Sequence, residues 1–137
     1  MSFIQAVSPF CGVGWGAACT ELDIEELGID TAPEVAAVRH SLHRDTITAD
    51  VTQLDPGAWH GVEGLIASPP CQAWSAAGAQ RGLEDPRGPL IWEPLRWARA
   101  IRPQWVACEQ VPRARWAFEQ IAHELRQDGY HAIVCDL

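Results

Sequence analysis

The sequence predicts a single α/β domain over residues 1–137, built on a mostly parallel sheet with helices on both faces. Three observations carry this. Short apolar runs alternate along the chain with segments of helical periodicity. The residues that interrupt this pattern, a glycine-rich turn, several acids and a Pro-Pro-Cys loop, each follow an apolar run, as they do where parallel strands give way to helices. Hydrophobic residues make up 47% of the chain and charged residues 20%, and a domain near this size buries roughly 70% of its unfolded surface, so a full core is attainable.

Taken in order, residues 3–7 (Phe-Ile-Gln-Ala-Val) form the first expected strand, followed by a Pro and Gly turn and a helix over 17–25. A short strand at 27–30 ends in Asp30, and Pro33 suits the first turn of a helix through Val35, Val38 and Leu42. A third strand at 47–51 carries Asp50, and a fourth at 64–67 leads into Ser68-Pro69-Pro70-Cys71-Gln72. After a polar, glycine-containing segment at 76–88, residues 90–101 have helical spacing and Pro103 stops them. A fifth strand at 105–108 ends at Glu109, residues 116–126 read as a helix, and 130–137 as a sixth strand. No internal repeat or low-complexity tract is visible.

Several function classes are disfavoured. No apolar run approaches the roughly 20 residues of a membrane span, and the first residues lack a basic then apolar leader, so a cytoplasmic protein with no membrane contact is expected. The five cysteines are odd in number and include no C-x-x-C pair, and the five histidines form no H-E-x-x-H motif; free thiols and no metal are expected. Net charge is −8, and all ten cationic side chains are arginines. Nucleic-acid affinity comes largely from cations that neutralise phosphates, so this chain alone is poorly charged to grip DNA.

In open parallel sheets the ligand site lies beyond the carboxyl ends of the strands, where the unusual residues gather. Phe10-Cys11-Gly12-Val13-Gly14 would let the backbone turn tightly and approach a ligand closely, although a plain strand-to-helix turn reads the same way. Asp30, followed by Thr31, stands where Rossmann-like folds commonly hold a ribose hydroxyl pair. Asp50, next to Val51, could accept from an adenine amino group or simply cap a turn. These features suggest an adenosine-bearing cofactor without distinguishing a dinucleotide from S-adenosylmethionine.

Cys71 distinguishes them. It lies in a proline-stiffened loop that presents a thiol, and Glu109 at the next strand end supplies a carboxyl group. Methylation of an unreactive pyrimidine carbon needs both: a thiolate adding to carbon 6 of cytosine activates carbon 5, and an acid at ring nitrogen 3 stabilises the developing charge. Arg81, Arg87 and Arg99 are candidate phosphate contacts, against the plainer reading of solvated or ion-paired arginines. Of the seven tryptophans, Trp74 is the one expected near a site.

The order and spacing of these blocks resemble the cytosine-5 DNA methyltransferase family over nearly the whole chain. Residues 10–14 resemble the family's first motif, Asp30 and Asp50-Val51 its ribose and adenine positions, and Pro70-Cys71-Gln72 with Ser75 and Gly78 its catalytic loop. Asp85-Pro86-Arg87-Gly88-Pro89-Leu90 is similar to the next motif, whose leucine lines the cofactor site, and Glu109-Gln110-Val111 to its Glu-Asn-Val. The resemblance implies a Rossmann-like S-adenosylmethionine-dependent fold truncated after about the sixth strand. It implies Cys71 and Glu109 as catalytic residues. Phe10, Cys11, Gly12, Val13, Gly14, Asp30, Thr31, Asp50, Val51, Pro70 and Leu90 would hold the cofactor, and Gln72, Ser75, Arg87 and Val111 would face a cytosine flipped from duplex DNA.

Departures from the family pattern are Ser8-Pro9 for the usual Asp-Leu, Trp15 at a common glycine position, and Gln110 for asparagine. The family's arginine-rich motif, target-recognition region and last helix have no counterpart in these residues. That predicts a fragment, a truncated phage or prophage product, or one subunit of a split enzyme needing a complementary C-terminal part. A non-catalytic cofactor-binding module and an RNA cytosine methyltransferase remain alternatives.

Overall fold

The structure, a computed structural model, describes residues 3–78 and 80–137. Five strands form one sheet: β1 (Ala6–Pro9), β2 (Glu26–Asp30), β3 (Thr46–Thr48), β4 (Gly64–Ala67) and β5 (Trp105–Cys108). All pairs are parallel and the spatial order is β3-β2-β1-β4-β5. The α/β fold class expected from the sequence is therefore what forms. The chain first winds outward from β1 to β3, then returns to β4 on the other side of β1. The crevice at this reversal, between the carboxyl ends of β1 and β4, is where open sheets of this kind bind ligands.

Alternation along the strands divides the core into two layers. Val7, Ile29 and Leu65 face one side and pack against Trp97, Ala98 and Ile101 of α3 (Glu93–Ile101) and Ile121 and Leu125 of α4 (Arg115–Gln127). Ala6 and Ile66 face the other, against Cys19 of α1 (Trp15–Glu21). On that second face, Gly28 lies under the guanidinium of Arg39 from α2 (Pro33–Ser41): a Cβ on Gly28 would stand 2.6 Å from Arg39 Nη2. Helices thus cover both faces. β1, β2 and β4 are buried almost throughout, which is why their sequences read as runs rather than alternations.

Fully buried Trp97 anchors the first layer, its ring 5.4 Å from that of Trp59. Removing so large a core side chain costs about 3–5 kcal/mol. α3 begins after a 3-10 turn at Gly88–Trp92 and ends where Arg102 turns left-handed, one residue before Pro103.

Several element boundaries differ from the sequence expectation. β1 lies at Ala6–Pro9 rather than 3–7, because pairing with β2 starts at Ala6 opposite Glu26. α1 stops at Glu21 instead of residue 25, with Asp23 at φ 56° in the turn to β2. β3 is only Thr46–Thr48, so Asp50 and Val51 belong to a capped 3-10 turn and not to a strand.

The expected sixth strand at 130–137 does not form. This tail doubles back along α4, held where Arg126 donates to Ala132 O, Tyr130 Oη donates to Pro103 O (2.7 Å) and Arg115 pairs with Asp136. A groove of about 1050 Å³, lined from one side by β5 and from the other by the tail, separates the two. Adjacent strands must lie about 4.8 Å apart to share hydrogen bonds, so the tail has no ladder to join.

Candidate active site at the strand ends

The turn leaving β1 is shaped by two unusual backbone positions. Phe10 is left-handed (φ 58°), rare for a bulky residue, and Gly12 follows at φ 46°. Two hydrogen bonds to β2 hold this path: Cys11 N–H donates to Ile29 O (3.1 Å) and Gly12 N–H to Asp30 Oδ2 (3.1 Å). Asp30 Oδ1 accepts from Ala32 N–H (3.0 Å), so this carboxylate clasps the glycine turn while each oxygen keeps a further acceptor site. No atom lies within 4 Å of where a Cβ would stand on Gly12 or Gly14, leaving open space over the turn. Phe10 packs on the main core, whereas Val13 and Thr31 are exposed.

Across the crevice, β4 ends at Ala67 and the loop carries Cys71 into solvent. A single helical turn follows, in which Trp74 N–H (2.8 Å) and Ser75 N–H (2.7 Å) both donate to Cys71 O. Gln72 is exposed, while Pro70 and Ser75 are half-buried. Trp15 Nε1 donates to Ser68 Oγ (2.6 Å), joining the β1 turn directly to the cysteine loop across the reversal point. The sequence reading missed this pair. An indole N–H set among apolar residues requires a partner, and that was the available signal.

β5 pairs with β4 in the register Ala67↔Cys108, so Glu109 leaves the sheet beside the cysteine loop and is exposed. Gln110 then ties the two segments: its Nε2 donates to Pro69 O (2.9 Å), while its Oε1 accepts from Val111 N–H (2.9 Å). Val111 packs against Ala73 and Trp74. The amide at position 110 is therefore a brace between the cysteine and glutamate segments.

Three thiols lie near the strand ends, and burial sorts them. It pushes Cys11 up to about 11 and Cys108 up to about 12, which keeps both protonated at neutral pH. Only Cys71 of the three is exposed. Thiolate is the nucleophilic form, so Cys71 is the one thiol here placed to act as a nucleophile.

Other candidates are occupied by the protein itself. Asp50 Oδ1 accepts from Thr52 Oγ1 (2.7 Å) and Thr52 N–H (2.9 Å), capping the turn at Val51–Gln53; these bonds hold its carboxyl below the usual range. Val51 points into the core, and its carbonyl accepts from Arg96 Nη2 (2.8 Å). Arg87 grips both oxygens of Asp85 at 3.0 Å. Arg99 is held by Glu124 and Asp128 at 2.7 Å each. Leu90 is half-buried in the turn before α3. Among the described residues no group of three His, Cys, Asp or Glu side chains is placed to hold a metal ion, and no helix is long and apolar enough to cross a membrane.

The model of the C-5 cytosine-specific DNA methylase family matches residues 17–135. The chain is 38% identical over 77 residues to the Type II methyltransferase M.FnuDI of Fusobacterium nucleatum, covering 53% of this chain and 22% of that protein. It is 32% identical over 117 residues to M.HgiCI of Herpetosiphon aurantiacus (79% and 27%), and 29% identical over 117 residues to M.NlaIV of Neisseria lactamica (81% and 28%). The matches thus span only 22–28% of these relatives' own length. With most of its residues matched by the family model, the chain belongs to the C-5 cytosine-specific DNA methylase family.

Proposed function

We propose that this chain carries the cofactor turn and the nucleophile of a DNA cytosine-5 methyltransferase, and that it acts together with the remaining part of such an enzyme, in the same polypeptide or another. The observation that carries the reading is the pairing of exposed Cys71 and exposed Glu109 on adjacent strand ends, braced by the Gln110 to Pro69 bond. The open, acid-clasped turn at Gly12–Gly14 suits S-adenosylmethionine, with room over the glycines for its methionine end and Asp30 close by for its ribose. Bound there, this cofactor would supply the methyl group. Asp50 and Val51 would contribute less than their motif suggests, since one caps its own turn and the other fills the core.

The residues then divide the chemistry. Cys71 Sγ adds to carbon 6 of a flipped cytosine, which turns carbon 5 into a nucleophile for the methyl group. The Glu109 carboxyl group hydrogen-bonds ring nitrogen 3 and stabilises the charge, a contribution of about 10²–10⁴-fold for a positioned proton donor. Loss of the carbon 5 proton to water then lets that electron pair re-form the 5,6 double bond as the carbon 6–sulfur bond breaks, releasing Cys71 as thiolate. Gln72 would face the flipped base, and Ser75 and Val111 would act through the loop they stiffen, while Arg87 is engaged by Asp85.

Grip on DNA is assigned to the remaining part. The chain's −8 charge opposes phosphate binding, and it spans about a quarter of its relatives' length. The groove beside β5 suits that part as a docking place, since an edge strand offers a row of unpaired backbone groups. Methyl transfer from labelled S-adenosylmethionine to duplex DNA tests this, using the chain with and without a C-terminal lobe from a relative. Transfer that requires the lobe and vanishes in Cys71→Ala, with cofactor binding retained, is expected. Undiminished transfer by Cys71→Ala, or activity on transfer RNA alone, would overturn it.

A further inference from the structure

Ten arginines serve this acidic chain, and five of them are spent on carboxylates: Arg39, Arg87, Arg96, Arg99 and Arg115. Two of the others, Arg81 and Arg113, meet at one place. They line a hollow of about 260 Å³ together with Ala73, Trp74, Gln80 and Gly82. Among the described residues neither makes an ion pair; Arg113 Nη1 donates only to the neutral Gln80 Oε1 (2.5 Å). Asp85, the acid near Arg81, is already engaged by Arg87 through both oxygens.

The hollow adjoins the nucleophile, because Ala73 and Trp74 follow Cys71 by two and three residues. Its floor is rigid. Buried Trp74 packs edge-on against Trp116 (5.8 Å), which packs edge-on against Trp92 (5.9 Å). Ala73 O accepts from Gly82 N–H (2.8 Å), fixing the segment that carries Arg81 onto the cysteine loop. Arg113 arrives from a different part of the chain, in the 3-10 turn Pro112–Ala114 just past Glu109. The cations therefore come from the two segments that also carry Cys71 and Glu109.

We infer that this hollow is a phosphodiester subsite, in which Arg81 and Arg113 clamp a backbone phosphate of the DNA strand bearing the target cytosine. Guanidinium groups match phosphate oxygens in geometry as well as charge. The volume exceeds what one small anion needs and lies near the lower end of small-molecule pockets, about 300 Å³, which leaves room for part of the attached sugar. Two local cations on a chain of net charge −8 attract a polyanion to this edge, while the chain's excess of acids repels it. The inference rests on the reading of the substrate as DNA.

The test follows the arginine Nε–H resonances of the whole chain by NMR during titration with a single-stranded decadeoxynucleotide. A parallel titration uses inorganic phosphate at matched ionic strength. Saturable shifts at Arg81 and Arg113, absent at ion-paired Arg99 and Arg115, are expected, with the oligonucleotide binding more tightly than phosphate. Replacing both, Arg81→Gln with Arg113→Gln, should lower the slope of log affinity against log salt by about 0.7, the share of one single-strand phosphate contact, and each single variant should lower it by part of that. No shift at these two residues, an unchanged slope in the double variant, or binding of phosphate no weaker than the oligonucleotide would each overturn the subsite. Shifts here without methyl transfer in the complemented enzyme would instead leave the subsite standing and remove the catalytic reading.

Discussion

The buried ion pair between α2 and β2 gives a quantitative test of what holds the sheet's second layer. Arg39 has no exposed surface and Glu26 almost none, and Arg39 Nη2 donates to Glu26 Oε2 at 2.5 Å. The guanidinium also donates through Nε to Thr46 Oγ1 (2.8 Å), while Arg39 Nη1 and Glu26 Oε1 have no partner among the described residues. Nη1 lies 2.9 Å from where a Cβ on Gly16 would stand, so the pair sits directly under the start of α1. Replacing Glu26 by Gln keeps the shape but strands a buried positive charge beside one hydroxyl.

Breaking a buried pair from one side costs about 3–5 kcal/mol, and the oxygen retained by glutamine favours the low end, about 3. Against a typical total of about 5–15 kcal/mol, and with a urea slope of about 1–3 kcal/mol/M, the unfolding midpoint should fall by about 1–3 M. Urea unfolding followed by tryptophan fluorescence measures this. The double variant Glu26→Leu/Arg39→Met removes both charges and should recover most of the loss, because an apolar pair of similar volume needs no desolvation. A Glu26→Gln midpoint within about 0.5 M of the parent, or a double variant no better than the single, would refute the reasoning.

Thiol chemistry and acid titration provide two further checks. Brief iodoacetamide treatment of the folded chain at pH 8 should label Cys71 and Cys135 and spare Cys11, Cys19 and Cys108: Cys11, raised to about 11, holds only about one part in a thousand as thiolate there, Cys108 holds less, and burial both raises and shields Cys19. Peptide mass mapping reads this, and labelling of Cys11 as fast as Cys71 would contradict it. The hydrogen bond from Arg87 holds Asp85 down to about 2. That depression stabilises the fold fully above the ordinary carboxylate range near 4, and the contribution is lost as pH falls from there through about 2. The Asp85 carboxyl 13C shift should titrate near 2 in the parent and move toward 4 in Arg87→Gln; titration near 4 in the parent would rule out the grip.

Legibility in the sequence followed the range of the interaction. β4 and β5 form over the expected residues because each is a short apolar run bounded by turn residues. α4 was visible because Ala117, Ile121, Ala122 and Leu125 recur at helical spacing and are buried along one face. β1 starts three residues later than expected because Phe3, apolar enough for a strand, has no partner to pair with and remains exposed. The tail at 130–137 has a strand's composition but no neighbour at ladder distance, and composition alone cannot supply one.

What the sequence by itself determined is the fold class, the family and the identity of the chemical groups. Local pattern and motif spacing encode these directly: alternating strands and helices, glycines after β1, a proline-stiffened cysteine, a glutamate at the end of β5. Only the tertiary structure decided which of those groups are available. Asp30 clasps Gly12, Asp50 caps its own turn, Arg87 and Arg99 are consumed by carboxylates, and Cys11 and Cys108 are silenced by burial. Cys71 and Glu109 remain exposed, and among the described residues Arg81 and Arg113 make no ion pair. The physical reason is that charge, hydrogen-bonding capacity and solvation are settled by neighbours distant in the chain, and strand pairing chooses those neighbours.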